Sequence, residues 1–313
     1  MVAYQSVRLA LPKLGSVSIL FCLAVGCGFV PLPGLGGSEN PAPLPNVDGI
    51  DPRQPNIERS TRTLDFTGVR TIRVELHTAR LVIEQVDSGT DEATLQVTEI
   101  ITAGWLGKND LENHLIATEL RAERSFVDSA RLNVTSIISQ GLQPKDVAFD
   151  VKLTVPRGAG TEIYLTSGPV EILRLAANVE IATADGAILV TDAAGNIVAK
   201  TTNHPVEIRG ARGNVDAVTS NADVSIRAMP SIGAQVLART AGGNARVLVQ
   251  QGFGAALKLV ADGGAVSANL NGFAVSNIAT AAGLLTAELN GGGGRIEALV
   301  EGGDIEFAGI TQP

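Results

Sequence analysis

The stretch that decides the fold is residues 161–231, in which four segments follow one another at a spacing of 18: TEIYLTSGPVEILRLAAN (161–178), VEIATADGAILVTDAAGN (179–196), IVAKTTNHPVEIRGARGN (197–214) and VDAVTSNADVSIRAMPS (215–231). Written under one another without gaps, the segments place similar residues in the same columns. The apolar columns are Val170, Ile188, Val206 and Val224; Ile172, Val190, Ile208 and Ile226; and Ile163, Ile181, Ala199 and Ala217. The polar columns are Asn178, Asn196 and Asn214 and, at predicted turns, Ser167, Asp185, Asn203 and Asn221. Matches in so many columns indicate a structural repeat.

A repeat of this length predicts an all-β fold, a parallel β-solenoid (β-helix), in which each repeat forms one coil and like residues stack about 4.8 Å apart. The inward Val, Ile and Ala columns would bury a continuous core, while the Asn columns would hydrogen-bond backbone groups at the bends. The alternative is an antiparallel meander, because Asp185-Gly186 is a good hairpin turn. From about residue 236 the period lengthens to roughly 20 residues. The later turns are predicted at Gly242-Gly243, Gly263-Gly264, Ala282-Gly283 and Gly302-Gly303.

The first half of the chain has a different pattern. From about Ile57, apolar and polar residues alternate, as in Thr71–Leu76 and Ala93–Ile100, which predicts half-buried strands. Residues 108–115 predict one short helix. A strand ends at Pro156, whose missing N–H breaks a ladder. We therefore expect residues 57–160 to form an antiparallel, β-sandwich-like cap and residues 161–313 to form solenoid coils of 18–20 residues.

The N-terminal segment predicts export. Residues 1–26 combine a weakly basic start with an apolar run, as in a secretory signal peptide. The run has about a dozen residues, short of the roughly 20 that cross a bilayer as a helix, so a permanent membrane span is the weaker interpretation. Residues 27–56 are rich in Pro and Gly and predict a semi-extended tether.

Ala24-Val25-Gly26-Cys27 resembles a bacterial lipoprotein signal, in which Cys27 receives the lipid and becomes the new N-terminus. The alternative is an ordinary signal peptide that contains a chance cysteine, since Cys22 also lies in the apolar run. No cysteine follows Cys27 in the sequence to act as a disulfide partner, which favours lipidation.

Composition limits the classes of function. Hydrophobic residues make up 45% of the chain, charged residues 18% and aromatic residues 4%, so neither a disordered tail nor a polytopic membrane protein is expected. The 35 glycines favour many tight turns around a core of small aliphatic side chains. The formal net charge is −8, which disfavours nucleic-acid binding because that function needs a basic footprint.

Few residues carry a chemical signal. His77, His114 and His204 lie far apart, with no second His or Cys at metal spacing. Asp262 and Asp304 neighbour glycine pairs but lack the full calcium-repeat motif, and Gly291–Gly294 lacks the Lys-Ser/Thr of a phosphate loop. We expect no catalytic, cofactor-binding or metal site, and we expect Trp105 to pack under the short helix.

Stacked coils would place Glu162 beside Glu180 and Asp185 beside Asn203, and paired carboxylates can perform acid–base chemistry. The column loses its acid at Val198, however, and aromatic residues for sugar stacking are scarce in the repeats. A carbohydrate-active enzyme is therefore the alternative rather than the expectation.

FDVKLTVP (149–156) followed by TSGPVEI (166–172) resembles the entry into the repeats of the bacterial "putative adhesin" family with β-strand repeats, and the resemblance spans about residues 60–310. It implies an exported β-solenoid lipoprotein and names no catalytic residues. We expect a lipid-anchored, non-catalytic protein of the cell envelope, at the outer membrane or cell surface, that serves adhesion or scaffolding. The alternatives are a carbohydrate-active β-helix enzyme and an envelope signalling accessory protein.

The expected partners are the membrane, through the N-terminal lipid, and a glycan or an envelope protein, without nucleic acid. Weak self-association is also expected. The ends of a solenoid expose unpaired strand edges, and Gly302–Gln312 would leave one end less protected than the other.

Overall fold

The computed structural model describes residues 57–85, 92–101 and 108–311. Within these ranges the chain is all-β apart from a helix, α1 (Lys108–Ala117), and a 3₁₀ turn, Pro144–Asp146. The predicted all-β class and the predicted short helix are confirmed. The predicted signal peptide, Cys27, the tether and Trp105 lie outside the described residues. No described helix has the length and apolar character to cross a membrane.

The strands of the first half are β1 (Ile57–Asp65), β2 (Thr71–Gln85), β3 (Glu92–Ile101), β4 (Glu119–Arg124), β5 (Arg131–Ile137) and β6 (Val147–Val155). The strands that cover the repeats quoted above are β7 (Gly160–Ser167), β8 (Val170–Leu173), β9 (Val179–Asp185), β10 (Ile188–Thr191), β11 (Ile197–Lys200), β12 (Val206–Ala211), β13 (Val215–Thr219) and β14 (Val224–Ala228). The remaining strands are β15 (Gln235–Thr240), β16 (Ala245–Gln250), β17 (Ala255–Asp262), β18 (Val266–Asn269), β19 (Val275–Ala281), β20 (Leu284–Leu289), β21 (Gly294–Glu301) and β22 (Ile305–Ile310).

These strands form two hydrogen-bonded ladders that share β2. Ladder A has the spatial order β1–β3–β6–β2–β8–β10–β12–β14–β16–β22–β18. Ladder B has the order β4–β5–β2–β7–β9–β11–β13–β15–β21–β17–β20–β19. From β7 to β16 the chain alternates between the ladders, one strand in B and the next in A.

The 18-residue columns are parallel register columns. Ile188 is the register partner of Val170 on one side and of Val206 on the other, as the repeat predicts. The antiparallel meander is wrong, because β9 pairs in parallel with β7 and β11 and not with β10 across Asp185-Gly186. Alternate residues of these strands are buried, and the inward aliphatic side chains of both ladders belong to one core. Full burial of one such side chain stabilises the fold by about 1.5–3 kcal/mol.

Side chains of the polar columns form hydrogen bonds with backbone groups at the bends between the ladders. The side-chain Oδ1 of Asn178 accepts the N–H of Asn196 at 3.0 Å, and Oδ1 of Asn196 accepts the N–H of Asn214 at 3.0 Å, as predicted. The repeat did not indicate a second device, in which the hydroxyls of the buried threonines Thr201, Thr219 and Thr240 donate to backbone carbonyls. Thr201 Oγ1 donates to Gly186 O at 2.9 Å, and Thr240 Oγ1 donates to Ala222 O at 2.7 Å.

The pairing continues across the boundary that the sequence predicts near residue 160. The first part of β2 lies between β5 and β7 in ladder B, and its second part lies between β6 and β8 in ladder A, all in parallel. Antiparallel pairing within residues 57–160 joins β1 to β3, β3 to β6 and β4 to β5. One strand from the first half is therefore an internal member of both ladders.

At the C-terminal end the spatial order departs from the sequence order. β21 lies between β15 and β17, and β22 lies between β16 and β18, so the last two strands are inserted into the ladders. The predicted turn at Ala282-Gly283 joins β19 to β20 as an antiparallel hairpin instead of continuing the repeat. The expectation that Gly302–Gln312 leaves an end open is wrong for its described part, because β22 has a partner on each side. The strands at this end are β18 in ladder A and β19 in ladder B.

Candidate functional site

The outer surface of ladder B carries a cluster of polar side chains that we call the charged face, formed by Arg73, Glu75, Arg131, Glu162, Tyr164 and Glu180. These side chains come from β2, β5, β7 and β9, which are neighbours in the ladder. The parallel register makes Glu162 the partner of Arg73 on one side and of Glu180 on the other. The outward position of these residues follows from strand alternation, since Ile163 and Leu165 point into the core.

Glu162 is held by two guanidinium groups. Its Oε1 lies 3.3 Å from a terminal nitrogen of Arg131, and its Oε2 lies 3.8 Å from a terminal nitrogen of Arg73. Arg73 also donates from Nε to Oε1 of Glu75 at 2.6 Å. These side chains are partly exposed, so each pair contributes little to stability, about 0–1 kcal/mol. Their main effect is to fix the position of Glu162.

Tyr164 contacts both Arg73 and Glu180 on the charged face. Its ring lies under the Arg73 guanidinium, 5.0 Å from ring centroid to Cζ, and its hydroxyl donates to Oε1 of Glu180 at 3.1 Å. Burial raises the pKa of Tyr164 to about 12, with a further contribution from the negative charge of Glu180. The hydroxyl therefore stays protonated and remains a donor to Glu180 at physiological pH.

The acid pair proposed from the sequence is adjacent in the structure but engaged. A carboxyl that works as a general acid or base must be free to exchange a proton with a substrate. Glu162 is instead bound by Arg73 and Arg131, and Glu180 accepts the Tyr164 hydroxyl. These contacts hold both carboxyls in place.

In the second predicted pair, Asp185 and Asn203, each side chain contacts a different residue. Asp185 contacts His204, with 2.9 Å between Oδ1 and Nε2, while Oδ1 of Asn203 accepts the side-chain amide of Asn221 at 2.9 Å. The repeat does not predict this contact, because His204 lies one position beyond the polar column. The only signal was the position of His204 next to Asn203, directly after a predicted turn.

The other two histidines also form side-chain hydrogen bonds. Nδ1 of His114 lies 2.7 Å from Oγ of Ser139, and Nδ1 of His77 lies 3.1 Å from Oγ1 of Thr78. Burial lowers the pKa of His77 below its usual value. Among the described residues no group of three or more His, Cys, Asp or Glu side chains could hold a metal ion.

A groove of about 230 Å³ lies on the outer surface of ladder A, which we call the ladder A groove. Its wall includes one turn residue from each of three successive repeats, Pro169, Ala187 and Pro205. The outward side chains of the neighbouring strands complete it: Arg80, Val82, Glu171, Leu189 and Glu207. The groove thus combines apolar contact area with carboxylates, and it follows the direction in which the repeats stack.

Comparison with known proteins gives structural similarities alone. No model of a known protein family matches the chain, and no curated protein matches it. A "putative cell adhesion protein" from Clostridium sporogenes is 14% identical; the match covers 81% of this chain and 100% of that protein, with a TM-score of 0.34. A "putative adhesin" from Bacteroides fragilis is 12% identical over 81% of this chain and 97% of its own, with a TM-score of 0.32. A "putative lipid binding protein" from Parabacteroides distasonis is 12% identical over 80% of this chain and 96% of its own, with a TM-score of 0.33. The first two descriptions name the kind of protein that residues 149–172 resemble.

Proposed function

We propose that the chain is an exported, lipid-anchored, non-catalytic β-solenoid that serves adhesion or scaffolding at the outer membrane or cell surface. The observation that carries the proposal is the parallel register at a spacing of 18 residues, with Ile188 between Val170 and Val206. This register repeats outward side chains in columns along both ladders. A long repetitive surface suits contact with an extended partner better than enclosure of a small substrate.

In this proposal one solenoid coil is a strand of ladder B, a bend, a strand of ladder A and a second bend. β9 and β10 form such a coil, and it stacks on the coil of β7 and β8 through both ladders. Residues 57–160 serve as the cap and residues 161–313 supply the coils. The insertion of β2 between β5–β6 and β7–β8 supports a firm junction between the two parts.

The lack of catalysis is proposed because the most promising acids are engaged. Glu162 contacts Arg73 and Arg131, and Glu180 contacts Tyr164. The ladder A groove is the best candidate for partner contact, since it offers Leu189 and Val82 beside Glu171 and Glu207. A glycan or an envelope protein is the proposed class of partner, and the net charge of −8 disfavours nucleic acid.

The anchor is tested with two cysteine variants and two readouts. Cells that express the wild-type chain, Cys22→Ala or Cys27→Ala are labelled with a radioactive fatty acid and then fractionated. We expect the wild-type chain and Cys22→Ala to carry the label and to need detergent for release from membranes, while Cys27→Ala carries no label. Label on Cys27→Ala, or release of the wild-type chain by salt alone, would contradict the proposed anchor.

The partner class and the lack of catalysis are tested together. Purified chains are incubated with a panel of envelope glycans and with solubilised envelope proteins, and both binding and product formation are followed. The groove variant Leu189→Arg is compared with Val198→Arg, whose side chain is also partly exposed but belongs to ladder B.

The proposal is supported if the wild-type chain binds a partner without forming product, and if this binding is lost in Leu189→Arg and kept in Val198→Arg. Turnover of any glycan would instead establish the carbohydrate-active enzyme. Equal binding by both variants and the wild-type chain would remove the ladder A groove from the proposal.

A further inference from the structure

The two ends of the ladders differ in charge. The first strands of ladders A and B are β1 and β4, which we call the N-terminal edge. The last strands are β18 and β19, which we call the C-terminal edge. The charge difference matters because an edge strand presents free N–H and C=O groups that can pair with another chain.

The N-terminal edge is protected by charged side chains. β4 contains Glu119, Arg121, Glu123 and Arg124, and β1 contributes Arg62. Arg62 forms an ion pair with Glu119 at 3.4 Å, which joins the first strands of the two ladders. Charged side chains on an edge are a common way to prevent pairing with a second chain.

The C-terminal edge lacks such protection. The 25 residues 263–287 contain no Asp, Glu, Lys or Arg, although charged residues make up 18% of the chain. All seven residues of β19 are exposed, including Ile278, which is 57% exposed. In the part of the chain that the structure describes, β19 pairs with β20 alone, so its other edge is open.

The edge of β19 is regular over part of its length. The register with β20 shifts between Ser276 and Ala279, and Asn277 has a φ of 52°, which marks a bulge. From Ala279 to Ala281 the pairing with β20 is regular. The segment after the bulge is therefore the part of β19 best suited to receive another strand.

We infer that β19 is a self-association edge, on which two copies of this chain pair through antiparallel β19 strands across a two-fold axis. A second copy fits this edge because antiparallel pairing of a strand with itself satisfies both sets of backbone groups. Residues 279–281 carry no charged side chain that would face its copy, whereas two bodies of net charge −8 repel each other elsewhere. A two-fold contact closes after two molecules, and the charged N-terminal edge prevents further growth. The inference depends on β19 and the charge distribution, not on Cys27 or on any ligand.

A single-cysteine scan tests this geometry. In the full-length chain, Cys22 and Cys27 are replaced by alanine and each residue of β19 is changed in turn to cysteine. Paired strands place the Cα atoms of directly opposite residues about 4.5–5.5 Å apart, within disulfide range, whereas a residue two positions from the axis lies about 13 Å from its copy. We expect cross-linked dimers to peak at one position, or at two neighbouring positions, within residues 279–281.

The matched control is Thr63→Cys, an exposed position on the edge strand β1 at the opposite end. A second pair of variants, Thr280→Lys and Thr63→Lys, is compared by sedimentation over a range of concentrations. Facing lysines should weaken the dimer about fivefold or more in Thr280→Lys, while Thr63→Lys dimerises like the wild-type chain.

The two experiments have clear opposing outcomes. The inference is overturned if cross-linking is equally efficient along β19 and at Thr63, or if the wild-type chain remains monomeric at its highest soluble concentration. Capture of a different envelope protein by β19, with no dimer of the chain itself, would overturn it as well. Circular dichroism of each variant checks that the β-fold is retained, as expected for changes at exposed positions.

Discussion

Asp304 and Asn244 lie 60 positions apart in the chain, yet the backbone N–H of Asp304 donates to Oδ1 of Asn244 at 2.9 Å. On its other side, Oδ1 of Asp304 accepts the N–H of Ala265 at 2.8 Å. The spatial order is thus 244, 304, 265, which follows from the insertion of β21 and β22. Asp304 lies next to a glycine pair similar to that of a calcium-binding repeat. Its side chain instead forms a hydrogen bond with the backbone at the bend.

The insertion predicts that Gly303 does not tolerate a side chain. A Cβ at this position would lie 2.1 Å from the carbonyl oxygen of Gly243 on the neighbouring strand connection. We expect Gly303→Ala to lower the free energy of unfolding by about 1–3 kcal/mol, as overpacking does. The control is Gly252→Ala, where the nearest atom would be 3.9 Å away. Equal urea midpoints for the two variants would contradict the close approach.

The buried threonine column predicts a selective loss of stability. Thr201→Val keeps the shape of the side chain but removes the hydroxyl that donates to Gly186 O at 2.9 Å. We expect this change to cost about 1–3 kcal/mol, because a buried acceptor loses its partner. Thr202→Val, at the exposed neighbouring position, should change the free energy of unfolding by less than about 0.5 kcal/mol. Urea unfolding of both variants measures the difference, and a loss no larger in Thr201→Val would argue against the hydrogen bond.

His77 predicts acid sensitivity. Burial lowers its pKa in the folded state below the usual 6.5, so the unfolded chain binds the proton more readily than the folded chain does. The contribution of His77 to stability is therefore complete above pH 6.5 and is lost as the pH falls below that value. We expect the free energy of unfolding to decline less steeply with acidification in His77→Gln than in the wild-type chain. Parallel curves for the two proteins between neutral and acidic pH would show that His77 is not responsible.

Tyr164 predicts an unusual alkaline titration. Tyr4 and Tyr164 are the two tyrosines of the sequence, so a chain without residues 1–26 would report Tyr164 alone. We expect phenolate absorbance to appear near pH 12 in the folded protein, against about 10 in the protein unfolded by urea. Glu180→Gln should move the folded-state value downward, because it removes the negative charge beside the hydroxyl. A folded-state midpoint near 10, with the β-fold still present by circular dichroism, would contradict the placement of Tyr164.

The sequence was sufficient to predict the contacts within the repeat, but it was insufficient to predict the order of the strands at the ends of the ladders. A fixed spacing of 18 residues specifies which residues become neighbours, so the contacts of Ile188 and the bonds of Asn178 and Asn196 could be predicted. The position of β21 could not be predicted in the same way. Every strand of this type offers similar small aliphatic residues to the core, and the pattern does not encode which strand lies next to which.

The charged face shows the same limit. The adjacency of Glu162 and Glu180 follows from the repeat, but Arg73 and Arg131 come from β2 and β5, which precede it. Nothing in the spacing of the first half indicates that these strands join ladder B. The threonines of this column can be aligned in the sequence, but threonine is common in any strand. Only the burial of Thr201 and Thr240 identifies their role.

The insertion of the last two strands restricts the order in which the protein can assemble. β21 and β22 follow in the chain the strands on both sides of them, so strands that fold in chain order must either remain apart or separate again to admit them. Until then, β15 and β17 each present a bare edge that could be filled by the wrong segment. Because such non-local pairing closes slowly, completion of the C-terminal strands is the step at which a newly made chain is most exposed to misassembly.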